Sequence, residues 1–217
     1  MDEPDFLRLT RDGYDRTARG YAERFHDHLD DKPVDRAMLA AFAGLVAAGD
    51  NTRVVDVGCG TGVATAILRE LGVDACGIDL SANMIAEARR RNPGIDFGVG
   101  SLSHLELADA SVGGVCAWYA IIHLPDEQLP AAFAEFHRVL APGGLALLAF
   151  QVGDRPRVLT EAFEEQVDLT FYRRRPDVVA AQLTAAGLPI YAQLVRGPDD
   201  DRFESTPHAY LIARKPR

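Results

Sequence analysis

The sequence predicts an α/β sandwich, a mostly parallel sheet with helices on both faces. Three observations predict it. Short apolar runs alternate with helix-period stretches from Arg53 onward, and a glycine-rich turn joins the first such run to the next helix. The third is length: 217 residues of ordinary globular composition suit one domain, with residues 1–48 as a leading helical segment and 50–217 as the sheet core.

The elements follow in order. Up to Ala48 the chain reads as helical: Phe25 and Leu29 share a face at i, i+4, as do Tyr14 and Ala18, with Tyr21 three further on. Pro33 opens a second helix, where its missing N–H costs nothing, and Val34, Met38, Phe42 and Leu45 make its apolar stripe. Arg53–Val57 reads as the first strand, and a helix follows from Val63 to Leu71, stopped by Gly72. Ala75–Ile78 is the second strand. Ser81 is placed to cap the next helix, which turns Met84, Ile85 and Ala88 inward and ends at Asn92-Pro93-Gly94. Ile95–Val99 and Val112–Tyr119 are the third and fourth strands. A helix from about Asp126 to Leu140 aligns Leu129, Phe133, Phe136 and Leu140, and Pro142-Gly143-Gly144 turns the chain into a fifth strand, Leu145–Phe150. Val167–Tyr172 reads as a short strand, Pro176–Gly187 as a helix, and Ile190–Val195 and Ala209–Ala213 as two last strands. The segment from Gly153 to Gln166 carries no clear pattern.

Composition narrows the function classes. A net charge of −9 repels phosphate backbones, and the densest positive cluster, Arg173-Arg174-Arg175, is a weak footprint for nucleic acid. Nucleic acid is therefore disfavoured as a partner. No apolar stretch reaches membrane-spanning length and the acidic N-terminus lacks a leader's apolar core, so no membrane partner is expected. Cys59, Cys76 and Cys116 are odd in number and lack close pairing, which favours buried reduced thiols and a cytoplasmic setting. Monomer and homodimer stay open.

The strongest chemical signal is Val54-Val55-Asp56-Val57-Gly58-Cys59-Gly60-Thr61-Gly62, between a strand and a helix. Its glycines permit a tight turn and close approach of a ligand to the backbone. The spacing departs from the dinucleotide fingerprint, because Val63 stands where a third glycine would be. Asp56 would also repel a pyrophosphate and suits a cationic ligand. The second signal is Asp79, about 20 residues on, at the end of the second strand, where a carboxylate can accept from both ribose hydroxyls.

These residues resemble the class I S-adenosylmethionine-dependent methyltransferases of the small-molecule type. The resemblance rests on VVDVGCGTG (54–62), GIDLS (77–81) and the RVLAPGG turn (138–144). It implies a Rossmann-like seven-stranded sheet of order 3-2-1-4-5-7-6, its last strand antiparallel, and S-adenosylmethionine as cofactor with S-adenosylhomocysteine as product. It further implies that the turn Gly58, Cys59, Gly60, Thr61, Gly62 lines the methionine part. Asp56 would contact the cofactor's amino group, Asp79 with Leu80 its ribose, and Met84 its adenine. Where many relatives place an acid after the third strand, this chain has Ser101 and Leu102, so Ser101 or main chain would hold the adenine amine.

Several further residues are candidates because ligands in open α/β sheets sit beyond the carboxyl ends of strands. Trp118 and Tyr119 would border the cofactor. His123 would take a proton from an attacking hydroxyl or amine as the catalytic residue, or merely cap a turn. Gln151, Tyr172 and Arg173 would reach the acceptor, Arg173 pairing with a carboxylate or remaining solvated. The resemblance makes the leading helix a lid, with Tyr14 or Tyr21 on the cofactor carboxylate or packed on the sheet. The chemistry expected is in-line methyl transfer to a small-molecule acceptor without a metal. Two alternatives remain: a non-catalytic S-adenosylmethionine-binding protein, and an NAD-dependent oxidoreductase, which the glycine spacing disfavours.

Overall fold

Each expected strand of the core forms in the computed structural model, which describes residues 3–200 and 204–217; the first two residues of the expected lid segment lie outside these. β1 (Arg53–Val57), β2 (Asp74–Asp79), β3 (Phe97–Val99), β4 (Val112–Trp118) and β5 (Leu140–Gln151) are followed by β6 (Arg157–Ala162), β7 (Glu165–Phe171), β8 (Ile190–Arg196) and β9 (His208–Arg214). The seven-stranded sheet has order β3-β2-β1-β4-β5-β9-β8, and β6-β7 form a separate two-stranded sheet. With that hairpin set aside, the order is the expected one. β9 alone runs antiparallel to its neighbours, inserted between β5 and β8.

Strand period places alternate residues on opposite faces. On one face, Val55, Val115, Ala146, Leu148 and Leu211 pack with α5 (Leu129–Val139) and α6 (Pro176–Ala185). On the other, Val54, Cys116, Leu147, Tyr210 and Ile212 pack with α2 (Pro33–Ala47) and α3 (Val63–Glu70). Burial on both faces accounts for the near-continuous apolar runs of β4 and β5. α4 (Ala82–Arg91) is capped by Ser81, whose Oγ accepts the Met84 N–H at 3.0 Å.

Three local expectations change. β5 begins at Leu140 and runs through Pro142-Gly143-Gly144, because Leu140 already pairs with Val112 and the register then shifts before Gly114 meets Leu145. β3 is short and starts at Phe97 rather than Ile95. The patternless segment holds β6, whose residues are mostly solvent-facing and so carry no apolar alternation. Its turn to β7 uses Phe163 and Glu164 at φ 52° and 66°, a left-handed pair without the glycine or asparagine that usually marks such a hairpin.

α1 (Asp5–Phe25) lies across the carboxyl edge of the sheet and is held from both sides. Against the hairpin it presents two small residues seven apart. A Cβ on Gly13 would stand 2.8 Å from Leu169, and one on Gly20 would stand 2.8 Å from Phe163. Against α4, Asp15 accepts from Ser81 Oγ at 2.5 Å and from the Asn83 N–H at 3.1 Å, so a carboxylate of α1 caps the start of α4.

Candidate active site

The carboxyl ends of β1, β2 and β4, roofed by α1 and the β6–β7 hairpin, enclose a cavity of about 1090 Å³. Ligand cavities usually measure roughly 300–1,000 Å³, so this one stands at the upper end of that range.

The glycine turn forms its floor. Gly58, Gly60 and Gly62 all have positive φ. At Gly60 nothing lies within 4 Å of an added Cβ, so the backbone there faces open cavity. Gly62 departs from the reading given above: it does not line the cavity. Its Cβ direction is filled by the Phe97 ring at 2.7 Å, so this glycine serves the close packing of turn against sheet.

Two carboxylates flank the turn. Asp79 Oδ2 accepts the Gly60 N–H at 2.8 Å and Oδ1 the Ser81 N–H at 2.9 Å. Burial raises its carboxyl above the ordinary value, and those two amides oppose the rise. Asp56 is fully buried. Its Oδ2 accepts the Thr65 hydroxyl at 2.6 Å, whereas Oδ1 is buried without a hydrogen-bond partner. The Cys116 thiol acts on this carboxylate only as a weak donor. Burial pushes Asp56 up to about 7, against the lowering by Thr65.

These residues fit the implied cofactor. An orphaned carboxylate oxygen at the open glycine turn calls for a buried cation, as an α-amino group supplies, and leaving such an oxygen unpaired is costly. Asp79, already braced, turns its remaining acceptor capacity to the cavity. Leu80, Met84, Ser101 and Leu102 line the cavity beyond it, as do Cys59 and Thr61 within the turn. Ser101 Oγ shares a hydrogen bond with Ser103 Oγ at 3.0 Å.

The remaining candidates divide into two groups. Tyr14, Tyr21, Trp118, Tyr119, His123 and Gln151 all border the cavity. Tyr172 and Arg173 do not. Tyr172 gives its N–H to Ile122 O and lies under the Arg174 guanidinium, and Arg173 Nη2 donates to Ser205 Oγ at 3.0 Å. Chain direction after β7 turns both away, and Phe171 takes the place at the cavity wall.

His123 is pinned at both ring nitrogens. Nδ1 lies 3.1 Å from the Thr170 carbonyl and must carry the proton, so Nε2 accepts the Tyr14 hydroxyl at 2.8 Å. Burial chiefly, with Arg174 adding to it, lowers its pKa to about 4 despite the Thr170 carbonyl. Burial raises Tyr14 well above the ordinary phenol value and Tyr21 to about 12. His123 is therefore neutral at pH 7 and presents Tyr14 rather than a vacant base.

Sequence reasoning missed Asp15, the hairpin residues Phe163 and Leu169, and His208. Gly13 and Gly20 were the available signal for the hairpin, since an interior helix glycine costs about 1 kcal/mol and tends to mark a close approach. His208 becomes visible only through its register opposite Gln151.

The site so built has the chemistry to take a cationic nucleoside on an α/β sheet. Residues 54–144 match the family described as "Methyltransferase domain". That match spans less than half of the chain, and the fold and the turn chemistry are similar to those of the class I S-adenosylmethionine-dependent methyltransferases. It is 34% identical over 143 residues to a demethylmenaquinone methyltransferase of Chlorobaculum parvum, across 64% of this chain and 58% of that one. It is 32% identical over 128 residues to a malonyl-[acyl-carrier protein] O-methyltransferase of Pectobacterium atrosepticum, across 59% and 47%. The chain spans about half the length of these curated relatives. In fold it resembles magnesium protoporphyrin IX methyltransferase from Synechocystis, with a TM-score of 0.70 at 19% identity over 99% of both chains. It likewise resembles 1,6-didemethyltoxoflavin-N1-methyltransferase of Burkholderia thailandensis, with a TM-score of 0.66 at 19% identity over 100% and 94%. No helix among the described residues is long and apolar enough to cross a membrane.

Proposed function

We propose that the chain transfers a methyl group from S-adenosylmethionine to a small-molecule acceptor, and that residues 3–48 with the β6–β7 hairpin close over both. The cofactor supplies an electrophilic methyl on a sulfonium, and the protein supplies position and field. The observation that carries this reading is the pair of carboxylates across the glycine turn, Asp56 fully buried with an unpaired oxygen and Asp79 half-buried at the cavity, in a cavity at the upper end of the usual ligand range. Asp56 holds the amino group and Asp79 the ribose, while Leu80, Met84 and Leu102 bracket the adenine and Ser101 accepts at its rim.

Tyr14 and His123 divide one task. His123, fixed by Thr170, takes the Tyr14 proton into a hydrogen bond and leaves the phenol oxygen turned to the acceptor. A histidine whose pKa lies near 4 is a weak proton store at pH 7, so it orients Tyr14 and an acidic nucleophile loses its proton elsewhere. Asp15, which ties α1 to the start of α4, sets the lid over the ribose. These supports are geometric, as are those for a small acceptor: an apolar, roofed cavity and a net charge of −9.

Calorimetry with S-adenosylhomocysteine tests the first half: saturable binding is expected, and its absence overturns the reading. An acceptor screen reporting S-adenosylhomocysteine release tests the second. Cofactor binding without turnover on any acceptor would instead favour a non-catalytic S-adenosylmethionine-binding protein.

A further inference from the structure

Four buried polar atoms without hydrogen-bond partners stand on four adjacent strands: Asp56 Oδ1 on β1, Trp118 Nε1 on β4, Gln151 Oε1 on β5 and His208 Nε2 on β9. All four residues line the cavity. Strand period puts them on one face, the face that also carries Val54, Cys116, Ala149 and Tyr210. They form a diagonal row. Asp56 pairs with Cys116, two short of Trp118; Trp118 pairs with Ala149, two short of Gln151; and Gln151 pairs with His208. Native structures leave few such atoms unsatisfied, so a row of them facing one cavity marks a ligand's path. On the function proposed above, its Asp56 end belongs to the cofactor.

The other end has a defined polarity. Tyr210 gives its proton to Asp35 Oδ1 at 2.7 Å and accepts from Arg196 Nε at 2.9 Å. Tyr119 Oη lies 3.5 Å from the Tyr210 hydroxyl but makes a much shorter hydrogen bond to His208 Nδ1, and the shorter contact is the one that takes its proton. His208 then carries hydrogen on Nε2, a donor. The Glu204 carboxylate lies 3.7 Å from it, beyond hydrogen-bond reach, and is engaged by Arg196 and Lys32. His208 is only 5% exposed. Beside this donor, Gln151 offers an acceptor oxygen. Tyr119 reaches its place through a left-handed backbone (φ 55°), a cost tolerated where a side chain must be aimed.

The walls are aromatic. Phe25 meets Tyr21 at 4.7 Å, Phe163 at 6.0 Å and His28 at 5.5 Å between ring centres, and all four rings border the cavity. Phe25 meets Phe163 and His28 edge to face and Tyr21 at a tilt, and ring faces along such a wall offer stacking partners to another ring.

We propose that Gln151 and His208 form the acceptor-recognition site for a flat aromatic molecule that presents a hydrogen-bond donor and an acceptor side by side on one edge. The donor meets Gln151 Oε1 and the acceptor meets His208 Nε2–H.

The test titrates three probes into protein saturated with S-adenosylhomocysteine, following quenching of Trp118, the chain's one tryptophan. 2-Quinolone has the ring and the paired edge, quinoline lacks the donor, and δ-valerolactam has the edge without the ring. 2-Quinolone is expected to bind saturably and about tenfold or more tighter than either control, the worth of one hydrogen bond or one stacked ring. Gln151→Leu should erase its advantage over quinoline; His208→Phe should weaken 2-quinolone and quinoline alike, each by several-fold, and His208→Gln, which keeps a donor, should retain that binding. S-Adenosylhomocysteine affinity, measured by calorimetry, should stay unchanged in all three variants. Equal binding of the probes by the wild type, undiminished preference over quinoline in Gln151→Leu, or unchanged 2-quinolone affinity in His208→Phe overturns the proposal. If the wild type fails to bind S-adenosylhomocysteine, the methyltransferase reading falls and this one with it; if that binding stands and the probes are not distinguished, only the acceptor site falls.

Discussion

Binding of the cofactor or its product should release a proton from Asp56. Without a cationic partner this carboxyl is fully buried, braced by Thr65 and weakly by the Cys116 thiol, and burial pushes it up to about 7 from 3.8. The rise corresponds to ~4 kcal/mol, the cost of keeping Asp56 ionised without a partner. A cofactor ammonium placed against Oδ1 removes that cost and pulls the pKa back down. Below pH 7 the free protein therefore holds a proton that the complex does not. Affinity for S-adenosylhomocysteine should rise by about tenfold per pH unit from pH 5 to 7 and level off above 7. Calorimetry at pH 6 in two buffers of different ionisation enthalpy should count close to one proton released. Asp56→Asn should abolish both the release and the slope. A flat affinity from pH 5 to 8 in the wild type, with the fold intact, would refute the contact between Asp56 and the amino group.

Three further outcomes are expected. Asp79→Ala should weaken S-adenosylhomocysteine by about 1–3 kcal/mol, since hydrogen bonds to a charged group contribute on that scale; unchanged affinity by calorimetry would remove Asp79 from the ribose site. His123 titrates lower in the fold, near 4, than its ordinary 6.5, so the unfolded chain binds more protons between those values. Its contribution is complete above pH 6.5 and is lost as pH falls toward 4, about 3 kcal/mol in all; in His123→Asn, urea unfolding across this window should lose that part of the slope, and an unaltered slope would contradict the burial. Tyr14→Phe and His123→Phe should be coupled by ~0.5–3 kcal/mol in a double-mutant cycle on unfolding, because they share one hydrogen bond; strict additivity would dissolve the pair.

How much of this was legible depended on whether a residue's task is local or depends on what folds against it. The sheet core was legible because its central strands β1, β4, β5 and β9 are buried on both faces and so read as near-continuous apolar runs, and because Ser81 and Gly72 punctuate helices by local chemistry. The glycine turn and its two acids were legible for the same reason, since a tight turn demands glycine whatever surrounds it. Gly62 misled because one residue type serves both ligand approach and close packing, and only the Phe97 ring decides between them. β6 was invisible because it touches solvent along most of its length and turns through Phe163 and Glu164 without glycine. His123 read as a base because the sequence cannot reveal that Thr170, 47 residues on, fixes one nitrogen while Tyr14, 109 residues back, occupies the other. The hairpin thus brings both the carbonyl that sets the histidine's tautomer and the rings that narrow the cavity. What the sequence leaves unpatterned is the part that roofs the site: solvent on one side and ligand on the other give a strand no apolar period to display.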